Sequence, residues 1–295
     1  MNNNQIMRAM TSDGNARIIV VNTTKITNTA IKYHKLSPTA AAALGRSLAA
    51  ASMIGVMLKN PQDSATLTFS GNGVCGKIIS VSDYIGNVKG YIENPEADLP
   101  PNSMGKLDVA GAVGKGNMYI VRDIGESEPY VGITPIISGE IAEDITNYFA
   151  TSEQTPTVCG LGVLIETDHT CRASGGFMIQ LMPGADNDFI AKLEKRMALV
   201  YSVSAYFDRG LSNEEIAKEI LGDEIAFDIF DQNETDYICD CSRERTRGAL
   251  FSLPTSDIDE MIADGKPIEM TCRFCDKIYN FDIDELKKIK EEHNG

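Results

Sequence analysis

The chain has 295 residues, 43% of them hydrophobic, no tryptophan, and a formal charge of −15 with a pI near 4.7. That is enough apolar chain for one large domain and a smaller one, and it excludes an intrinsically disordered protein. So acidic a composition argues against nucleic acid or an anionic membrane as the main partner.

The opening MNNNQIMRAMTSDGNARIIVV has no basic segment followed by an apolar one, so no secretory signal is expected. No run approaches the roughly eighteen uncharged apolar residues of a membrane span. A cytoplasmic location is the expectation, and there thiols stay reduced and a disulfide scaffold is improbable.

Residues 6–21 alternate as a strand pair turned at SDGN, since Asp-Gly favours a tight hairpin. Residues 38–58 follow as a buried, Ala-rich helix with Ser37 as N-cap and Pro38 in the first position. Short strands then recur to about residue 135: ATLTFSG, GKIISVS, VKGYIEN and MYIVRDI. A second helix is expected over 138–150, and strands return in CGLGVLIETD and ASGGFMIQLMP. The expected fold class is α+β: a mostly antiparallel-sheet domain with helices over 1–183, a helical linker and a small C-terminal zinc-binding domain.

After Pro183 the pattern becomes helical. Phe189, Leu193, Met197, Val200, Val203 and Phe207 share one stripe that ends at Gly210. LSNEEIAKEILGD follows, with Ser212 and Glu215 as a capping box and Gly222 as a stop. Residues 184–231 are therefore expected as a helical linker whose apolar faces pack on the body, either permanently or conditionally.

Residues 232–295 form the third expected domain. The charge concentrates toward this end: residues 211–295 hold 22 Asp and Glu against 10 Lys and Arg. The cysteines do too, with four of the seven falling in YICDCSRER and EMTCRFCDK. Between and after these knuckles a polar stretch, a short helix at TSDIDEMIADG, two strands and a closing helix at DIDELKKIKEEH are expected. Few of these residues are large and apolar, and a domain of about sixty residues is marginal without a staple.

Cys239-x-Cys241 and Cys272-x-x-Cys275 supply two pairs of soft ligands, which suits one tetrahedral Zn²⁺ ion per chain. With sulfur at all four corners no position is left for water, so the metal is expected to be structural and the protein not an enzyme. Thiolate is also the form that attacks peroxide, and each pair could close into a disulfide. A clamp, a catalytic dithiol and a switch all remain open on these grounds.

Other features carry less. GNGVCG fits G-x-G-x-x-G, but a strand rather than a helix follows it, so the glycines read as hairpin residues. Cys75, Cys159 and Cys171 lie in apolar or Gly-rich strands and read as core cysteines. His34, His169 and His293 are far apart and suggest no catalytic grouping. A thioredoxin-like role for Cys272 and Cys275 would want a helix after the first cysteine. Arg243, Arg245 and Arg247 form a basic spot, expected to answer neighbouring acids such as Asp240 and Glu244. If they do not, a constitutive zinc ribbon engaging nucleic acid or a partner protein is the alternative.

The cysteine spacing, with TAAAALGR, GKLDVAGAVG, SGEIAEDITNYFATSEQTP, GGFMIQLMPG, CDCSRER and CRFCDKIYNF, resembles the redox-regulated heat-shock chaperone family, the thirty-three kilodalton chaperonins. The resemblance covers nearly the whole chain. It implies a bacterial, cytoplasmic, ATP-independent holdase for unfolded client proteins, with zinc on Cys239, Cys241, Cys272 and Cys275 in an inactive reduced state. It further implies that oxidation forms Cys239–Cys241 and Cys272–Cys275, expels zinc and loosens the linker, and that the active form is a homodimer.

Overall fold

The computed structural model describes residues 4–294, the side chains of His293 and Asn294 excepted. The chain divides into two compact units, Met1–Ile238 and Cys239–Gly295.

In the first unit β1 (Gln5–Thr11) and β2 (Ala16–Asn22) form the anticipated hairpin. A helix not expected from the sequence, α1 (Thr24–His34), leads into α2 (Pro38–Gly55), where Ser37 Oγ accepts from the Ala40 N–H. Then come β3 (Ser64–Gly71), β4 (Lys77–Asp83), β5 (Val88–Ile92), the short α3 (Val109–Val113), β6 (Gly116–Asp123) and β7 (Tyr130–Pro135). The helix expected over 138–150 begins later, as α4 (Ala142–Thr151). The residues before it form a loop, because the buried Asp144 carboxylate gathers the backbone N–H groups of Ile137, Ser138, Gly139 and Ile141. Strands β8 (Thr157–Ile165) and β9 (Cys171–Leu181) follow.

Two five-stranded antiparallel sheets result, in the orders β10-β1-β2-β9-β8 and β5-β4-β3-β6-β7, where β10 is Phe227–Glu234. Helix α2 is buried almost end to end and packs on strands of both sheets. Its alanines make this possible, since small side chains let a sheet approach from either side. At Gly55 the approach is closest: a Cβ there would meet Ser82 Oγ at 2.1 Å and the Asp83 carbonyl at 2.3 Å.

The linker region departs from a single helical stripe in two ways. First, the helix that starts as α5 (Asn187–Met197) stops, and a second short helix, α6 (Val203–Asp208), resumes after Ser202. Leu199 and Tyr201 at the break are 55% and 82% exposed. The break redirects the chain so that Phe207, like Phe189 and Leu193, reaches the apolar face of β1, β2 and β9; Met197, Val200 and Val203 are only partly buried. Second, after α7 (Asn213–Leu221) the chain becomes the edge strand β10, paired to β1 and pinned by an Arg8–Asp231 ion pair. The helical linker expected over 184–231 therefore ends in a strand, because residues 227–234 complete the open edge of β1 by backbone pairing. Helix α7 starts at the expected Ser212–Glu215 capping box and ends at Gly222.

A flat seat on the sheet receives α6. Gly162 on β8 and Gly175 on β9 are cross-strand partners. A Cβ at Gly162 would meet the Ser204 backbone nitrogen at 2.3 Å, and one at Gly175 would meet the Phe207 ring at 2.4 Å. Glycine is needed at both positions because backbone and ring rest directly on the strands.

Just before the second unit, Tyr237 is clipped to β5. Its hydroxyl donates to the Gly90 carbonyl at 2.7 Å, and the Ile238 N–H donates to the Val88 carbonyl at 2.9 Å.

The second unit contains α8 (Arg243–Phe251), α9 (Thr255–Ala263), a β11 (Ile268–Thr271)–β12 (Ile278–Phe281) hairpin and α10 (Ile283–Asn294). The stretch read as merely polar is helix α8, capped by Ser242 and anchored by the buried Leu250. Among the described residues its buried core is six side chains, Leu250, Ile258, Tyr279, Phe281, Leu286 and Ile289, with Leu253, Met261, Ile262, Ile268, Met270 and Ile283 partly buried around them.

Candidate metal centre

Both knuckles are shaped locally. Cys272 and Cys275 occupy the β11–β12 turn, closed by the Cys272 N–H on the Lys277 carbonyl and the Asp276 N–H on the Cys272 carbonyl, each at 2.9 Å. Asp276 takes φ +55°, a left-handed conformation that Asp tolerates better than most residues. Cys239 and Cys241 precede α8, whose start at Ser242 fixes where Cys241 points.

The structure brings together all four cysteines singled out in the sequence. Their sulfurs lie within 4.8 Å of one another. Cys239 Sγ is 3.7 Å from Cys272 Sγ, and Cys241 Sγ is 3.4 Å from Cys275 Sγ, so sulfur contacts join one knuckle to the other. A tetrahedral ion with metal–sulfur bonds of about 2.3 Å would hold its ligands about 3.8 Å apart. The cluster has that size, so it could hold a metal ion. All seven cysteines of the chain are free thiols here.

The surroundings distinguish the four sulfurs. Tyr279, placed on the inner face of β12 by strand alternation, donates its hydroxyl to Cys241 Sγ at 3.1 Å. Burial opposes the Cys241 thiolate, but hydrogen bonds from Tyr279 and the neighbouring thiols overcome it and bring its pKa down to about 7. Burial pushes Cys275 up to about 11 and raises Cys239 further. Sequence reasoning took KIYNF only as a strand leaving the knuckle and missed Tyr279. The signal was its position four residues beyond Cys275 on the buried side of that strand.

The basic spot is spent inside the unit. Arg243 pairs with Glu285 at 2.7 Å, Arg247 with Glu292 at 2.7 Å and Arg245 with Asp240. Asp240 is the partner anticipated, while Glu285 and Glu292 come from α10. The remaining cysteines belong to the first unit: burial pushes Cys75 up to about 11 and Cys159 and Cys171 up to about 12. Inert core thiols behave this way. Among the described residues, no helix is long and apolar enough to cross a membrane.

Comparison with known proteins agrees with this architecture over almost the full length. The family model described as Hsp33 protein matches residues 4–282. A 33 kDa chaperonin from Agathobacter rectalis is 45% identical over 285 residues, covering 97% of this chain and 99% of that protein. One from Clostridium botulinum is 43% identical over 290 residues, covering 98% of each. The crystal structure of the 33 kDa chaperonin, a heat shock protein 33 homologue, from Thermotoga maritima superposes with a TM-score of 0.91 at 32% identity, covering 99% of both chains. Two antiparallel sheets around a buried helix, a small four-cysteine unit and these matches agree on one conclusion: the chain belongs to the Hsp33 family of chaperones.

Proposed function

We propose that the chain is a redox-switched, ATP-independent holdase, zinc-bound and inactive when reduced, activated by disulfide formation with loss of zinc. The observation that carries this reading is four free sulfurs within 4.8 Å of one another in a unit whose own core is six side chains. Structural zinc contributes on the order of 10–16 kcal/mol in small metallo-domains, against about 5–15 kcal/mol for the whole stability of an ordinary domain. Removing it therefore unfolds the unit instead of loosening it.

In the reduced state Cys239, Cys241, Cys272 and Cys275 hold the ion as thiolates, with Tyr279 orienting Cys241. Zinc keeps the four sulfurs deprotonated and ties the two knuckles together. On oxidation one thiolate attacks peroxide, forming a sulfenic acid and releasing hydroxide. The neighbouring thiol then displaces that oxygen as water, leaving a disulfide. Two such events, at Cys239–Cys241 and at Cys272–Cys275, consume two equivalents of peroxide and leave no thiolate to hold a cation.

Functionally the chain then divides into a client-binding core (1–183), a conditional linker (184–231) and a switch domain (232–295). With the switch domain unfolded, the linker loses its downstream support, and lifting of α5–α7 uncovers the apolar strand face of Ile18, Val20, Phe177 and Ile179. Apolar surface of that kind recognises unfolded clients without a sequence motif. The location would be the bacterial cytoplasm, and the active form a homodimer. The intramolecular ion pairs of Arg243, Arg245 and Arg247 disfavour nucleic acid as partner.

Peroxide treatment of the zinc-loaded chain tests this. The expected result is release of one zinc per chain, peptide mapping of Cys239–Cys241 and Cys272–Cys275, and suppressed aggregation of a thermally unfolding client. Retained zinc with no gain in activity refutes the switch.

A further inference from the structure

A second polar constellation lies within the first unit, where strands of its two sheets face each other. Arg17 on β2, Gln180 on β9 and Thr157 on β8 are register neighbours across three strands. They form a relay: Gln180 Nε2 donates to Thr157 Oγ1 at 2.9 Å, and Arg17 Nε donates to Gln180 Oε1 at 2.6 Å. Gln180 is 1% exposed. A buried amide fixed at one end thus orients the guanidinium at the other.

What that guanidinium faces is incomplete. Its only other partner is the soft Met57 Sδ at 3.7 Å, and among the described residues no carboxylate pairs with it. Arg122 on β6 stands beside it and takes Glu153 at 2.5 Å. Two guanidinium groups therefore share one carboxylate. Burial lowers the Arg17 pKa, with Glu153 raising it and Arg122 lowering it. The buried Tyr148 phenol lies in the same corner, where burial and Glu153 raise its pKa.

There is room for a ligand. Arg17 lines two adjoining cavities of about 500 and 440 Å³. Leu181, Met182, Pro183 and Ile190 make one wall of the larger apolar, and no carboxylate lines it; the smaller holds Arg122 and Lys59 together with Asp63, Glu126 and Glu153, so the larger is the one suited to an anion.

We propose that Arg17, with Arg122 beside it, is the head-group clamp of a binding site for a small organic anion, a carboxylate or phosphate whose apolar body lies against Leu181, Met182 and Ile190. A planar guanidinium already oriented by a buried amide loses little freedom on binding and offers its free N–H groups to two anion oxygens.

Titration of the reduced full-length chain decides the matter, following the arginine Nε–Hε NMR signals at constant ionic strength with chloride as the reference ion. Hexanoate, acetate and inorganic phosphate are the probes. Expected is a saturable shift of the Arg17 signal, identified by its loss in Arg17→Gln. Hexanoate should bind about tenfold more tightly than acetate because of the apolar wall, and Arg17→Gln should weaken binding about tenfold or more. Arg17→Lys, which keeps the charge and loses the fork, should fall between. Tighter phosphate than hexanoate assigns the head group as phosphate, and the reverse as carboxylate. No saturable shift in the wild-type chain with any probe, or equal binding by Arg17→Gln, overturns the proposal. The wild-type titration stands even if a variant misfolds.

Discussion

Tyr279 donates its phenolic hydrogen to Cys241 Sγ at 3.1 Å, between residues 38 apart in the chain. A donor aimed at sulfur favours the thiolate over the thiol, so this contact helps to lower the Cys241 pKa. In the reduced, metal-free chain, alkylation of Cys241 should rise as pH increases through about 7, while Cys275 should wait until about 11. Tyr279→Phe removes a bond to the charged form, which moves the Cys241 midpoint upward. Alkylation at a series of pH values with mass-spectrometric readout measures this. An unmoved midpoint would assign the effect to the neighbouring thiols alone.

Replacing any one of Cys239, Cys241, Cys272 and Cys275 by Ser should lower bound zinc and make residues 239–295 sensitive to protease, because six core side chains cannot hold that unit unaided. Cys75→Ser is the control. Cys75 is fully buried in the first unit, so the variant should lose about 1–3 kcal/mol of stability yet keep its metal. Zinc content by a chelating dye, together with limited proteolysis, separates the two classes. Full metal content in all four ligand variants would contradict the site.

Gly162→Val should displace α6 without touching a cysteine. The new side chain begins 2.3 Å from the Ser204 backbone nitrogen, and overpacking of this kind costs about 1–3 kcal/mol. Proteolysis within 198–202 should accelerate. If the linker is the conditional cover, client protection should also appear in the reduced, zinc-loaded chain. Unchanged cleavage at these residues would show that the seat tolerates a side chain.

Leu193→Ala and Val200→Ala should differ in size. Leu193 is buried among the strand residues of the first sheet and should cost about 2–4 kcal/mol, whereas Val200 is only partly buried and should cost less. Urea unfolding followed by circular dichroism gives both values, and equal losses would mean that the break after α5 does not divide the stripe as described.

The metal centre was readable because its evidence is local. C-x-C and C-x-x-C each lie within four residues, and soft ligands in pairs carry their chemistry in the spacing alone. The hairpin at 6–21, the Ser37-Pro38 helix start and the Ser212–Glu215 capping box were readable for the same reason. Helix α8 was missed because RERTRGALF has one strong anchor, Leu250, and its arginines become favourable only against acids of α10, forty residues on. The split of α5 from α6 was missed because the apolar period runs through both. Only the sheet beneath shows that one straight helix could not seat Phe207 beside Gly175.

By itself the sequence determined the composition of each part: an antiparallel α+β body, an apolar connector and an acidic end with four thiols too sparsely cored to stand unassisted. Tertiary structure alone decided that these thiols converge, that Tyr279 favours one of them, that β10 joins the sheet edge, and that a buried amide orients Arg17. The division is physical. Periodicity, caps and ligand spacing are set by neighbours along the chain, whereas convergence, burial and pairing of charges depend on which distant segments the folded core brings into contact.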